Sequence, residues 1–227
     1  MSSKLRSWDK LAFIEANNVS FGYKESLVII RDVFLGLDNG VFTGLVGPNG
    51  SGKTTIGKLL CGILKPDSGE VFLGEKAVSS LRLPQVGKII GYLFQNPDTQ
   101  IFNTVVKKEL SFIMELKGMD AGLIGLEVDR MLKLFKLWEF KDSYTFNLSY
   151  GEKKRLAIAS VLVNNPKYLI LDEPTTGLDM QGKKLLSGIL KSLLGEGIGM
   201  LVISHDRNFI KDNASRILRI EGGKPVG

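Results

Sequence analysis

Residues Gly47-Pro48-Asn49-Gly50-Ser51-Gly52-Lys53-Thr54 satisfy the spacing G-x-x-x-x-G-K-[ST] at every fixed position. The apolar run Phe42–Val46 precedes them, and a helical pattern from Thr55 to Leu64 follows. A strand, a glycine-rich loop and a helix in that order commit the chain to an α/β fold with a phosphate-binding turn. The glycines let successive backbone N–H groups point inward, at a helix N-terminus that already favours anions. Asn49, Gly50, Ser51, Gly52 and Thr55 would form the cradle, Lys53 would bridge the β- and γ-phosphates, and the Thr54 hydroxyl would ligate Mg²⁺. An ordinary glycine-rich turn explains the glycines but not Lys-Thr at this offset.

Composition narrows the class. The chain has 227 residues, 44% hydrophobic and 24% charged, which suits one large domain or one domain carrying an inserted lobe. Glycine accounts for 26 residues, about 11% where ~7% is usual, so glycines placed for ligand contact are expected. Thirty Lys+Arg against 24 Asp+Glu give a net +6, which suits acidic ligands in general. No block of five or six basic residues occurs, so nucleic acid is not expected as a partner. Cys61 stands alone among Leu59, Leu60, Ile63 and Leu64, which excludes an intrachain disulfide and reads as a small buried hydrophobe in a reducing compartment. The N-terminal MSSKLRSWDK lacks the apolar region of a secretory signal, and no apolar run approaches the ~18 residues of a membrane span.

Short β-branched and aromatic runs alternate with helical patterns. The expected strands are Phe13–Ala16, Val28–Arg31, Phe42–Val46, Glu70–Leu73, Ile89–Phe94, Tyr168–Leu171, Met200–Ile203 and Arg216–Ile220. Tyr168–Leu171 and Met200–Ile203 are continuously apolar, the pattern of strands covered on both faces of a parallel sheet. Between Asn96 and Val163 the strand signal stops. There Leu123, Leu126, Met131, Leu134, Phe135 and Trp138 are expected to share one buried helical face. The simplest architecture is an α/β core with a helical lobe inserted at about 96–163.

Leu169-Ile170-Leu171-Asp172-Glu173-Pro174 ends an apolar strand in two acids, at the sheet edge where ligands bind in open α/β folds. Asp172 is placed to hold Mg²⁺ and Glu173 to polarise an attacking water. Two charged residues ending a strand in solvent is the plainer alternative, which the phosphate loop in the same chain disfavours. Ser149 with Glu152 three residues later forms a capping box ahead of the helical run Lys153–Val163.

Taken together, these motifs resemble the ATP-binding cassette proteins over nearly the whole chain. They occur in family order: the loop at 47–54, Gln95, Leu148-Ser149-Tyr150-Gly151-Glu152, Asp172-Glu173, Leu178-Asp179 and His205. The resemblance implies an α/β fold: a P-loop NTPase (RecA-like) core with a parallel sheet, an N-terminal antiparallel β portion and an inserted α-helical subdomain. The whole chain, 1–227, would be one ATP-binding domain, with its core at about 1–95 and 164–227. ATP and Mg²⁺ would be the cofactors. Two cassettes would sandwich two ATP molecules, the signature helix of each completing the other's site through Ser149, Tyr150, Gly151 and Glu152. Gln95 would reach Mg²⁺ and the attacking water, His205 the γ-phosphate, and Asp179 would communicate across the dimer. Tyr23 would stack on adenine, although Phe21 at even spacing points the same way. Where the family usually has two glycines this chain has Tyr150-Gly151, which favours a non-identical partner over a homodimer.

The segment Phe94-Gln95-Asn96-Pro97-Asp98-Thr99-Gln100-Ile101-Phe102 is similar to that of energy-coupling factor ATPases, and Thr104-Val105 and Glu109–Phe112 continue the likeness. That resemblance implies a subunit at the cytoplasmic face of the membrane that powers uptake of a vitamin or transition-metal ion. Its partners would be a second cassette, a transmembrane coupling protein and a substrate-binding membrane protein. Asp98 would accept an arginine of the membrane subunit, unless Asn-Pro-Asp is a turn and Asp98 a cap for the helix that follows. A soluble cassette acting as a nucleotide-driven switch on nucleic acid or ribosomes is the alternative. Such proteins usually carry two cassettes or a long coiled-coil insertion, and neither is present here.

Overall fold

A computed structural model describes residues 12–23 and 28–226; the N-terminal segment discussed above lies outside the described residues. In chain order it contains β1 (Ile14–Gly22), β2 (Val28–Leu37), β3 (Phe42–Val46), α1 (Lys53–Leu60), β4 (Ser68–Leu73), β5 (Lys76–Ala77), α2 (Leu83–Gly87) and β6 (Ile90–Leu93). Then come α3 (Val106–Leu116), α4 (Ala121–Leu134), α5 (Tyr150–Leu162), β7 (Tyr168–Asp172), α6 (Met180–Gly195), β8 (Gly199–Ile203), α7 (Arg207–Asn213), β9 (Arg216–Glu221) and β10 (Lys224–Val226). All eight expected strands are present. The first two run further than expected because bulges at Asn18 and Asp32, both at positive φ, let the β1–β2 pairing shift register and continue.

The strands form two sheets. One is antiparallel, in the order β2-β1-β4-β5; the other runs β10-β9-β3-β8-β7-β6. In the second, every pair from β9 through β6 is parallel and only β10 joins antiparallel. Every residue of β7 and β8 is buried, which accounts for their unbroken apolar sequences. Alternate side chains enter two cores. Leu169, Leu171, Met200 and Val202 face the helices α3–α6, while Tyr168, Ile170, Leu201 and Ile203 face α1 and the antiparallel sheet.

The helices α3, α4 and α5 lie between β6 and β7 in the chain. The α4 face differs from expectation. Ile124, Val128, Met131 and Leu132 are buried, with Phe135 just beyond the helix, whereas Leu123 and Leu126 are 57% and 70% exposed. Leu134 and Trp138 are only partly covered. Two apolar stripes run along this helix at helical spacing, and the one directed at α3 and the shared core is the one that is buried. The pattern alone could not rank them.

The lobe meets the sheet through α5 and β6. A Cβ added at Gly91 would lie 2.5 Å from Val161 Cγ1 and 3.0 Å from Leu169 Cδ2, so helix and strand touch where a side chain has no room. Gly91→Ala is therefore expected to destabilise the protein by about 1–3 kcal/mol through overpacking. Denaturant unfolding measures this as a lower midpoint at unchanged m-value.

Candidate active site

The loop between β3 and α1 turns on Gly52, the N-cap of α1, whose φ of 96° lies in the left-handed region. A Cβ there would also come within 2.5 Å of Ile30 Cδ1. Lys53, nearly buried, folds back over the loop and donates to the carbonyls of Gly47 (3.0 Å) and Pro48 (2.8 Å). Those bonds tie the lysine to the loop, and phosphate oxygens would compete for the same ammonium. Ser51 Oγ is buried with no hydrogen-bond partner.

The parallel sheet brings the acids to this loop. Asp172, 1% exposed, ends β7, and burial pushes its pKa up against the opposing effect of the Thr54 hydroxyl beside it. Its Oδ1 has no partner, while Tyr92 Oη makes a long 3.5 Å contact to Oδ2. Burial and the Asp172 charge raise the Tyr92 pKa well above its ordinary value. Glu173 adopts φ 50°, a left-handed conformation costly for a residue with a side chain and concentrated at functional sites. Its carboxylate is gathered in by the segment after β8: His205 N donates to Oε1 at 3.1 Å, His205 Nδ1 lies 2.8 Å from Oε2, and Ser204 Oγ donates at 3.4 Å. Buried Ser204 and Thr175 exchange a further contact at 3.3 Å.

Around these groups lies one cavity of about 530 Å³, lined by Asn49, Gly50, Gly52, Lys53, Thr54 and Thr55 on one side. Gln95, Asp172, Glu173 and His205 line the other, with Ile29 and Ile203 as apolar walls. The two aromatics near the end of β1 sit in different environments. Phe21 is buried in the core, while Tyr23, just past the end of β1, is 52% exposed and its Oη lies 3.3 Å from Thr55 Oγ1. The orphaned Asp172 Oδ1, the Thr54 hydroxyl beside that carboxyl and the single-carboxylate donor set suit Mg²⁺, which keeps water and phosphate ligands.

Other expected site residues lie apart from this cavity. Ser149 caps α5 in the expected box: its Oγ accepts from Glu152 N, and Ser149 N donates to Glu152 Oε2 at 2.8 Å. Tyr150 and Gly151 open the same helix. Asp179 caps α6, its Oδ1 accepting from Gly182 N at 2.7 Å. Asp98 pairs with Lys153 at 2.8 Å and is not the cap; Asn96 caps the 3-10 turn Pro97–Thr99 by accepting from Asp98 N. Tyr92, Ile29 and Ser204 join the site without belonging to any of its sequence motifs. The first two reach the site only through strand register, whereas Ser204 carried one available signal, a hydroxyl between a buried strand and the lone histidine.

A phosphate cradle and a carboxylate pair at the C-terminal edge of a parallel sheet define a P-loop nucleotide hydrolase. The family model "ABC transporter" matches residues 30–176, and the chain belongs to that family. An ABC transporter ATP-binding protein of Pyrococcus furiosus is 38% identical over 211 residues, 93% of this chain and 81% of that protein. A Bacillus cereus relative is 37% identical over 94% of this chain and 38% of its own length. Among solved structures, cbiO1 of Clostridium perfringens, part of the ABC transporter complex cbiONQ, superposes with a TM-score of 0.85 at 30% identity, covering 96% of this chain and 88% of that one. A dimeric ATP-binding cassette in a post-hydrolysis state with ADP and Pi gives 0.85 at 26% identity, covering 94% and 97%. The chain is an ATPase, the ATP-binding subunit of an ABC transporter. Cassettes of this family bind ATP, typically with Mg²⁺, dimerise and work with membrane partners. Among the described residues no helix is long and apolar enough to cross a membrane.

Glu173→Gln keeps the shape of the side chain but removes its carboxylate, and tests the expectation that this group polarises the attacking water. Turnover measured by phosphate release is expected to fall on the order of 10²–10⁴-fold, with ATP binding retained. A variant that still hydrolyses at the wild-type rate would exclude Glu173 as the base.

Proposed function

We propose that this chain drives an importer of the energy-coupling factor type, working at the cytoplasmic face of the membrane to take up a vitamin or transition-metal ion. The observation that carries this reading is the segment Phe94–Phe102. It leaves β6, turns at Pro97–Thr99 and borders an apolar groove formed by Ile63, Leu83, Val86, Tyr92, Phe94 and Val161. A groove of about 410 Å³ beside Gln95 suits a short amphipathic helix of a transmembrane coupling protein. The likeness to cbiO1, part of a cbiONQ complex, supports the same reading.

In this scheme ATP enters against Tyr23 and Ile29, and the backbone of residues 49–55 cradles its phosphates. Lys53 leaves the Gly47 and Pro48 carbonyls for the β- and γ-phosphate oxygens. Thr54, Asp172 and Gln95 would hold Mg²⁺, which shields the charge of the transferring phosphoryl group. Glu173 orients the attacking water, and His205, released from its contact with Glu173, meets the γ-phosphate. Ser149 and Gly151 of a second cassette complete the site, Glu152 supports that cap, and Asp179 lies in the segment leading to the partner.

The partner cassette is a different chain. Tyr150 occupies the first turn of α5, where the family pattern has glycine, and its ring lies against Gly177 and is 41% exposed. A ring at the helix entrance takes room that a partner's γ-phosphate would need. Native mass measurement of the complex purified with ATP is expected to give two cassettes of unequal mass; a fully active homodimer would refute this. Asp98 exchanges its pairing with Lys153 for an arginine of the coupling protein. Accordingly, Asp98→Ala is expected to lower co-purification of membrane subunits severalfold while nucleotide binding stays intact, and unchanged recovery would remove Asp98 from the interface.

A further inference from the structure

Lys154 is the one lysine among the largest fully buried side chains, at 0% exposure, and among the described residues no carboxylate lies within ion-pairing distance of it. Its ammonium makes a short hydrogen bond to the carbonyl oxygen of Gln95. A lysine is almost never buried without a pairing partner, so this one needs a reason. Burial lowers its pKa to about 8, against the opposing attraction of Asp172 and Glu173 across the site.

The surrounding contacts converge on the same short loop. Tyr150 Oη donates to the same Gln95 carbonyl at 3.4 Å, and Lys154 Nζ stands 5.8 Å from the centre of the Tyr150 ring. Further along, Gln100 Nε2 donates to Ala157 O at 3.2 Å while its Oε1 accepts from Phe94 N at 3.1 Å. Asp98 meets Lys153 from the outside. Residues 94–100 are thereby strapped to one helix, α5, whose N-terminus carries the signature residues and whose flank covers β6. Only the Lys154 contact is both buried and charge-assisted, the combination that gives a hydrogen bond directional strength.

We propose that Lys154 is a positioning residue for ATP hydrolysis: from inside α5 it fixes the main chain of Gln95, sets how far that side chain reaches into the nucleotide cavity, and makes the loop at residues 94–100 move with α5. The inference rests on Gln95 acting at the Mg²⁺ and the attacking water. A lysine kept only to pack its stem would contribute to stability and leave the metal dependence of turnover untouched.

The test compares Lys154→Leu, Lys154→Gln and Gln95→Ala with wild type, each as the full chain with the subunits that co-purify with it. Lys154→Leu removes the donor; Lys154→Gln retains an N–H donor without the charge. For Lys154→Leu, kcat is expected to fall about tenfold, the loss of one buried charge-assisted hydrogen bond, with KM for ATP within about twofold. The Mg²⁺ concentration giving half-maximal turnover should rise severalfold. In the nucleotide-free protein, amide exchange across 94–100 should speed up severalfold. Lys154→Gln, which keeps a neutral donor, should recover part of both kcat and exchange protection. A folded Lys154→Leu protein with wild-type kcat, Mg²⁺ demand and exchange would overturn the proposal, as would equal impairment of the Leu and Gln variants. If Lys154→Leu does not fold, the Gln variant decides alone: fast exchange at 94–100 in a folded Lys154→Gln protein overturns the inference. Gln95→Ala separates the two readings. If it leaves kcat and Mg²⁺ demand unchanged, the role of Gln95 fails, whereas an impaired Gln95→Ala beside normal Lys154 variants discards Lys154 alone.

Discussion

The parallel pairing of β3, β8 and β7 is the constraint on which the rest of the site depends. Leu45 pairs with Ile203, and Ile203 with Asp172, so the ends of three strands stand side by side. Everything that follows those ends falls at one edge: the phosphate loop after Val46, Glu173 after Asp172, and Ser204-His205 after Ile203. The backbone bond from Glu173 N to Ile203 O, at 2.8 Å, carries the pairing one residue past the regular strands and fixes where the Glu173 carboxylate begins. Because β7 and β8 are buried on both faces, this alignment is held by apolar packing on two sides rather than by the polar groups it presents.

Charge at that edge is arranged for a ligand as much as for the protein. Lys53 is parked on carbonyls, Asp172 Oδ1 and Ser51 Oγ are buried without partners, and Glu173 sits in a left-handed conformation held by His205 and Ser204. Buried orphan atoms and backbone strain are costs that packing alone would remove. Here the orphaned Asp172 Oδ1 and the left-handed Glu173 line one cavity, beside the loop that holds Ser51, which a merely glycine-rich turn would not require. Helix α5 reaches toward the same edge, because residues 94–100, the capping residue Ser149 and strand β6 all touch this element.

Much of this was legible from residues alone. Gly47–Thr54, Asp172-Glu173 and the strand runs carry local signals, because each requires particular side chains at fixed offsets. The capping box at Ser149 and Glu152 was equally readable and is formed as expected. The buried face of α4 was not, since Leu123 and Leu126 fit a helical stripe as well as Ile124 and Val128 do, and only the neighbouring helix chooses between them. Asp98 likewise offered a cap or a partner contact. Asn96 takes the cap and Lys153 the charge, a pairing 55 residues away that no local pattern contains.

The chemistry of the site was thus written locally, in a lysine and threonine after a glycine loop, two acids after an apolar strand and one histidine after another. Those motifs are short because phosphate, metal and water each demand a few groups at fixed backbone spacing. Tertiary structure decided which residues attend them. Tyr92 beside Asp172, Ser204 beside Glu173, Ile29 in the cavity wall and Lys154 beneath Gln95 arrive from other strands and helices. Their roles depend on distances across the fold, set by sheet register and helix packing, which a single linear sequence carries only in combination.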